Sequence, residues 1–305
     1  MKIPVVFMGS PDFALPTLKM LAEQYQVQGV VTQPDRPSGR GKKMTSPVIK
    51  LEAERLGLPV IQPPKLREPG VLEILKSWSP EVIIVAAFGQ ILRQDVLDLP
   101  KMGCVNVHAS LLPRWRGAAP IQAAILAGDS QTGITIMRMD AGLDSGPILS
   151  QAGIPITPQD TAGTMSDKLS DLGAKLLQET LPGYLAGRMV PRVQDESLVT
   201  KAPMLERAQG EIDFTQSAEY LARLVRAYHP WPGSFTTWQG ETLKLHRAHA
   251  VSARTSSPAA RLVVEGKPAF ETGDGLLVLD ELQPAGKRRM LGDEFLRGNR
   301  DWVIS

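Results

Sequence analysis

The sequence predicts an α/β protein, with a doubly wound parallel sheet in its first part and a small β-barrel or sandwich in its last part. Up to residue 186, apolar runs alternate with segments of helical spacing, a pattern typical of βαβ units. The run at 82–87 is continuously apolar, as expected for a strand covered on both faces. After residue 210, short β-like runs are separated by glycine and polar turns.

The elements of the first part follow from the spacing of apolar residues. Strands are predicted at 3–8, 27–32, 60–61, 82–87, 104–105 and 133–137. Helices are predicted at 13–25, 121–127 and 161–186. The last helix has a single apolar stripe, made by Met165, Leu169, Leu172, Leu176 and Leu177.

The composition changes after this helix. Residues 187–210 contain no long apolar run and hold Pro191 and Pro203, which predicts an extended linker over the surface. A helix is predicted beyond it at 217–228. Four short strands are predicted at 234–237, 242–246, 261–264 and 276–279.

Composition narrows the class of protein. The 305 residues suit two domains or one large one, and 43% of them are hydrophobic, as in a globular protein with a real core. The only cysteine, Cys104, lies in an apolar run and is expected to be a buried core thiol. No apolar run approaches the ~18 residues that span a bilayer, and the N-terminus is too short and too quickly broken for a signal peptide. A cytoplasmic protein without a membrane contact is therefore expected.

Two polar residues at the end of the 104–105 run are the first candidates for chemistry. Asn106 and His108 are two apart, so on a strand they share a face and can point into one pocket. Ligands of open α/β sheets bind at the carboxyl ends of strands. The glycine-rich loop after the 133–137 strand carries Asp140 and Asp144, and a carboxylate beside an imidazole fixes its tautomer. We choose Asp144 as this partner, although the spacing alone allows Asp140 equally.

Several common sites are absent from the sequence. The first βα turn, residues 9–12, lacks the G-x-G-x-x-G fingerprint, and no G-x-x-x-x-G-K-[ST] phosphate loop occurs. No Cys/His cluster has metal-ligand spacing, so no metal site is predicted. His229, His246 and His249 are scattered in the last part and are expected to be surface or structural residues.

The loop at 33–47 is rich in proline and glycine and carries several cations, among them Arg40, Lys42 and Lys43. It is expected to be mobile until a ligand orders it. One interpretation is a solvated surface loop. The other is a contact with a polyanion, because Arg and Lys on a flexible loop engage phosphates with salt-dependent affinity.

A larger set of motifs joins these features. Residues 106–122 read Asn-Val-His-Ala-Ser-Leu-Leu-Pro-Arg-Trp-Arg-Gly-Ala-Ala-Pro-Ile-Gln, and residues 139–147 read Met-Asp-Ala-Gly-Leu-Asp-Ser-Gly-Pro. The basic loop, Gly-Glu-Ile-Asp-Phe at 210–214, His-Pro-Trp-Pro-Gly at 229–233 and Phe-Leu-Arg-Gly at 295–298 complete the set. Over nearly the whole chain, the set closely resembles the methionyl-tRNA formyltransferase family.

This resemblance implies a formyl donor, 10-formyltetrahydrofolate, and an acceptor, the α-amino group of methionine on initiator tRNA. It implies a Rossmann-like catalytic domain at 1–187, a linker at 188–207 and an OB-like domain at 208–305 that helps to hold the tRNA. Asn106, His108 and Asp144 match the catalytic positions of the family. The folate-contacting segment corresponds to Ser110, Leu111, Leu112 and Pro113, and the insertion that reaches the tRNA acceptor end corresponds to Arg40, Lys42 and Lys43.

Two other functions compete with this one. A formyltransferase that acts on an amino-sugar nucleotide would keep the same active centre but would need no basic loop. A folate- or RNA-binding protein on a retired enzyme core is the non-catalytic alternative, and the intact Asn106, His108 and Asp144 argue against it. The protein is expected to act as a monomer.

Overall fold

The computed structural model describes residues 2–38, 43–255 and 257–303. The chain forms two compact units. The first comprises Met1–Pro120, Gln131–Pro155 and Ser166–Ala202, and the second comprises Ile121–Ser130, Ile156–Met165 and Pro203–Ser305. Each unit therefore contains segments that are distant in the sequence.

Strands and helices alternate along much of the chain up to residue 202. The strands are β1 (Pro4–Gly9), β2 (Gln26–Val31), β3 (Arg36–Ser38), β4 (Lys43–Thr45), β5 (Val60–Ile61), β6 (Val82–Ala86), β7 (Cys104–His108), β8 (Arg116–Gly117), β9 (Gln131–Arg138), β10 (Ile148–Pro155) and β11 (Lys201–Ala202). The helices are α1 (Leu15–Gln24), α2 (Val48–Arg55), α3 (Val71–Ser77), α4 (Gln94–Leu97), α5 (Pro120–Ala127) and α6 (Ala162–Leu185).

Seven of these strands form one sheet in the order β10-β9-β7-β6-β1-β2-β5. The pairs from β5 to β7 are parallel, which confirms the predicted doubly wound sheet. Two further strands, β9 and β10, extend one edge in antiparallel pairing. All five residues of β6 are buried, because elements cover both faces of the sheet at its centre.

The order of the strands places a ligand site. The chain builds β1, β2 and β5 towards one edge and then returns to build β6 and β7 on the other side of β1. Such a reversal leaves a crevice outside the carboxyl ends of the strands. Because β1, β6 and β7 are parallel, the loops that follow them leave from one edge of the sheet, and the Asn106–His108 end of β7 lies at that edge.

The basic loop has more regular structure than the sequence predicts. Its two sides form the antiparallel hairpin of β3 and β4, in which Arg36 pairs with Thr45. Beside it, the carboxylate of Asp35 accepts hydrogen bonds from Lys50 at 2.8 Å and Gln62 at 2.7 Å. These bonds, with that from Gln62 contributing most, lower the pKa of Asp35. Residues 39–42, including Arg40 and Lys42, lie outside the described part of the chain.

The first part of the predicted linker packs on the first unit. Arg192 and Ile148 form an antiparallel bridge, with backbone N–H···O distances of 2.7 and 2.8 Å. Further along, β11 pairs in parallel with β8. Residues 188–202 thus belong to the first unit.

The second unit contains the antiparallel sheet expected for the last part of the chain. Its elements are α7 (Ala218–Ala227), β12 (Ser234–Trp238), β13 (Glu241–Val251), β14 (Arg261–Val264), β15 (Lys267–Glu271), β16 (Leu276–Pro284), β17 (Met290–Leu291) and α8 (Gly292–Gly298). The strand order is β12-β13-β16-β15-β14, and β17 pairs with β16. Rings of Trp238, Phe270, Phe295 and Trp302 pack in contact, with centroid distances of 5.1 to 6.0 Å. The edge-to-face geometry of most of these pairs is the one that aromatic quadrupoles favour.

Two simpler expectations can be compared with the structure. Cys104 is 1% exposed, and burial raises the pKa of its thiol to about 12, so it is an inert core residue. Among the described residues, no helix is long and apolar enough to cross a membrane.

Candidate active site

The site begins at the end of β7, where a buried strand carries two polar side chains. All five residues of β7 are buried, and Asn106 and His108 lie on the same face of the strand because side chains alternate. The structure therefore places an amide and an imidazole side by side at the crevice. A buried polar group must find partners, so their surroundings are informative.

Asp144 lies beside both residues. Its Oδ1 is 3.7 Å from Nδ1 of His108 and 3.5 Å from Nδ2 of Asn106, which donates to it. The side chains of His108 and Asp144 are 6% and 14% exposed, so little water screens their interaction. The structure thus brings together Asn106, His108 and Asp144, which are up to 38 residues apart in the sequence.

The second nitrogen of His108 also faces an oxygen. Nε2 lies 3.0 Å from the backbone carbonyl oxygen of Trp115. An imidazole that carries both protons donates to Trp115 and towards Asp144 at once, whereas a neutral ring satisfies only one of these acceptors. Trp115 has φ +65°, an uncommon value for a residue other than glycine, and such values cluster at functional sites.

The other carboxylate of the same loop, that of Asp140, bonds within the loop. Oδ1 of Asp140 accepts hydrogen bonds from the backbone N–H of Gly142 at 3.0 Å and from the hydroxyl of Ser145 at 2.8 Å. Asp140 is exposed and stabilises the turn of its own loop. The spacing in the sequence left the choice open, and the structure places Asp144 rather than Asp140 next to His108.

A backbone N–H helps to hold the Asp144 carboxylate in place. Its Oδ2 accepts from the backbone N–H of Gly117 at 2.9 Å. Gly117 has φ +127°, and a Cβ there would lie 2.4 Å from the carbonyl oxygen of Ala202. Only glycine fits this position, because β8 and β11 approach each other closely. Gly117 was not predicted as part of the site, although its place at the end of a Trp-Arg-Gly run offered a signal.

The segment predicted to contact folate follows directly after β7, and its polar groups are largely satisfied. The hydroxyl of Ser110 donates to the carbonyl oxygen of Arg114 at 2.6 Å, and the backbone N–H of Leu112 donates to the hydroxyl of Thr135 at 3.0 Å. Ser110 and Leu112 are buried, whereas Leu111 and Pro113 are partly accessible. The segment therefore has a fixed backbone with apolar side chains at its accessible surface.

A second loop at the same edge was not predicted as part of the site. It follows β6, and its conformation is held by Gln33, which donates to Phe88 at 3.1 Å, and by Gln90, which bonds the backbone of Pro63 and Leu66. On this anchored loop the side chain of Ile91 is 87% exposed. An anchored loop that follows a central strand and exposes a large apolar side chain is a candidate ligand contact. Its sequence offered no charged or titratable residue to mark it.

The predicted basic residues are only partly visible in the structure. Lys43 begins β4, and Arg40 and Lys42 lie outside the described residues. Within the described chain, no group of three or more His, Cys, Asp or Glu side chains could hold a metal ion.

The histidines of the second unit make local contacts. Nδ1 of His249 lies 2.9 Å from Asp280, and Nε2 of His246 lies 3.1 Å from the side-chain oxygen of Gln283. Burial lowers the pKa of both His229 and His246. These contacts fit the structural role expected for them.

Models of known families match most of the chain. The family model described as "Formyl transferase" matches residues 1–181, and that described as "Formyl transferase, C-terminal domain" matches residues 204–300. The chain belongs to the formyltransferase family. This confirms the resemblance seen in the sequence motifs, and it covers the β7 site and the second unit alike.

Two relatives of this formyltransferase are similar along nearly their whole length. Methionyl-tRNA formyltransferase of Myxococcus xanthus (strain DK1622) is 47% identical over 298 residues, which cover 97% of this chain and 95% of the relative. The protein of the same name from Bacillus subtilis (strain 168) is also 47% identical over 298 residues, covering 96% of this chain and 94% of the relative. The likeness therefore extends through the linker and the second unit.

Solved structures share the fold of this formyltransferase at much lower identity. A methionyl-tRNA formyltransferase from Clostridium thermocellum aligns with TM-score 0.58 and 18% identity, covering 91% of this chain and 99% of that one. WlaRD, a sugar 3N-formyl transferase crystallised in the presence of dTDP and 5-N-formyl-THF, aligns with TM-score 0.69 and 17% identity, covering 94% and 100%. At such identities these structures support the fold and nothing finer.

Proposed function

We propose that this formyltransferase moves the formyl group of 10-formyltetrahydrofolate to the α-amino group of methionine on initiator methionyl-tRNA, for the initiation of translation. The observation that carries the proposal is the 47% identity to proteins named methionyl-tRNA formyltransferase over 97% of the chain. The alternative acceptor, an amino-sugar nucleotide, is favoured only by structural neighbours at 17% identity or below.

Asn106 is proposed to stabilise the charge that develops during the reaction. When the amine adds to the formyl carbon, negative charge grows on the formyl oxygen. The amide of Asn106 lies on a buried, rigid strand and is a preorganised donor for that oxygen. Removing one such donor typically costs about 10²–10³ in rate.

His108 and Asp144 are proposed to handle protons. The attacking nitrogen must lose a proton, and the N10 atom of the leaving folate must gain one. His108 lies beside Asn106 on the same strand face and is able to donate or accept at the reacting atoms. Asp144, 3.7 Å from Nδ1, orients the ring.

The folate is proposed to bind along Ser110, Leu111, Leu112 and Pro113. The residues fit such a ligand because their backbone is fixed by internal hydrogen bonds and the accessible side chains are apolar. A bound folate supplies the activated formyl group, while the chain supplies orientation and electrostatic stabilisation.

The tRNA is proposed to engage the basic loop through Arg40, Lys42 and Lys43 and to be held further by the last part of the chain. We also propose that the chain is divided into a catalytic domain at 1–187, a connecting segment at 188–207 and an OB-like tRNA-contacting domain at 208–305. The first part of the connecting segment rests on the first unit. We further propose that the enzyme acts as a monomer in the cytoplasm.

The test is an assay of formyl transfer from 10-formyltetrahydrofolate to three acceptors: methionyl initiator tRNA, uncharged initiator tRNA and an amino-sugar nucleotide. Product on the charged tRNA alone is the expected result. Turnover on the sugar nucleotide without turnover on the tRNA would keep the chemistry and reject the proposed acceptor. No turnover on any of them would favour the non-catalytic alternative.

A further inference from the structure

The connecting segment reaches into the active site through one buried side chain. Gln194 lies between the Ile148–Arg192 bridge and β11, in a stretch whose neighbours are mostly exposed. Its own side chain is only 5% exposed. A buried amide in an otherwise exposed segment must serve partners deeper in the molecule.

Those partners are the backbone of the Asp144 loop and a buried arginine. Nε2 of Gln194 donates to the carbonyl oxygens of Asp144 and Gly146, each at 2.8 Å. Oε1 accepts from Nε of Arg116 at 3.0 Å. The network also fixes which way the amide points, because the reverse orientation would place oxygen against two carbonyls and N–H against a guanidinium.

The position that Gln194 holds is an unusual one. Asp144 has φ +50°, a left-handed value that residues other than glycine rarely adopt. Its carboxylate must at the same time face His108 and the backbone N–H of Gly117. Two hydrogen bonds directly after its Cα, to its own carbonyl oxygen and to that of Gly146, keep the backbone in the conformation that aims the carboxylate.

We propose that Gln194, oriented by Arg116, is a positioning residue that holds the backbone of Asp144 so that its carboxylate faces His108. The proposal rests on the proposed function for its catalytic consequence. It makes residues 188–202 part of the catalytic unit rather than a simple connection. The side chain of Gln194 bonds to Arg116, Asp144 and Gly146. It therefore acts on His108 only through Asp144.

The experiment compares Gln194→Leu with Ser170→Ala in the full-length chain. Leucine keeps most of the side-chain volume. It removes the two N–H donors of the amide and the oxygen that accepts from Nε of Arg116. Ser170 is matched in burial at 6% and loses one hydrogen bond, to Phe13 at 2.8 Å, without a hydrogen bond to the Asp144 loop.

We expect Gln194→Leu to lower kcat by about 10²-fold, the cost typical of a misplacement of about 1 Å. The KM values for both substrates should stay close to those of the unmodified enzyme, since binding is unaffected. Ser170→Ala should keep kcat.

A second readout needs no turnover. The chain has four histidines, so the ring signals of His108 can be assigned by NMR with one His108→Gln spectrum. Gln194→Leu should move the His108 signals in the direction that Asp144→Asn moves them, and Ser170→Ala should not. Unmoved His108 signals, or a loss of kcat no larger than in Ser170→Ala, would overturn the role of Gln194. Absence of turnover in the unmodified enzyme would instead reject the proposed function, while the NMR comparison still decides on Gln194.

Discussion

At the end of β7, Asn106, His108 and Asp144 are buried or nearly so, and each has partners at defined distances. Between β2 and α2, the described polar residues of the basic loop are exposed or partly exposed, and Asp35 near its start forms an ion pair with Lys50 of α2. The first region is preorganised for chemistry on small groups, whereas the second has charge at the surface for a large partner. If the proposed function holds, changes in the first region should alter the rate of transfer, and changes in the second should alter the use of tRNA.

The largest effect is expected from Asp144→Asn, which keeps the shape but removes the charge beside His108. We expect kcat to fall by about 10³-fold, within the range typical of positioned acid–base groups, while the fold is kept. Steady-state kinetics together with a thermal melt measure both. Asp140→Asn on the same loop is the matched control and should lose far less activity. Near-normal turnover of Asp144→Asn would remove this residue from the mechanism.

The second largest loss of kcat is expected from a change at Asn106. Asn106→Leu keeps the volume of the side chain and removes its donor, so we expect kcat to fall by about 10²–10³-fold, as when one donor to a developing oxyanion is lost. The KM for methionyl-tRNA should change little, because the interaction belongs to the transition state. If kcat were kept and only KM rose, Asn106 would be a binding residue instead.

A substitution in the basic loop should change the affinity for tRNA. Arg40→Ala is expected to weaken the use of tRNA much more than the binding of folate, and to reduce the slope of log affinity against log salt by about 1, as for one lost phosphate contact. The measurement is tRNA KM and Kd over a salt series. Arg55→Ala, which removes an exposed arginine paired with Glu52, is the control. Equal losses for folate and tRNA, or no loss, would return the loop to a solvated surface role.

The smallest effect is expected at the outer end of the Arg116 network. A hydrogen bond from Arg116 lowers the pKa of Glu196, so its contribution to stability is present above the usual glutamate pKa of about 4.3 and is lost as the pH falls through the lowered value. Because Glu196 is largely exposed, Glu196→Gln should reduce the melting temperature only slightly at neutral pH. Melts over a pH series should show the two proteins converging in acid; a difference that grows in acid would contradict this origin.

The sequence was a good guide where one local pattern decides the structure. The apolar runs located β1 and β6, because a strand buried on both faces needs a continuous apolar stretch, and shorter apolar stretches located β2 and β5. It was a poor guide to the hairpin of β3 and β4, since proline and glycine around these strands mask their pairing. It also gave no sign of β10, whose pairing depends on β9 rather than on its own residues.

The sequence by itself determined the α/β class, the pair Asn106 and His108 on one strand face, and the family, because periodicity and motif spacing are local properties of the chain. Tertiary structure alone decided between Asp140 and Asp144, and it alone revealed Gln194 and the contact that Gly117 makes with Asp144. Those choices depend on contacts across 27 to 50 residues, which form only when loops from β8, β9 and the connecting segment meet. A hydrogen bond needs its donor and acceptor within about 3 Å, and spacing along a chain does not specify that distance.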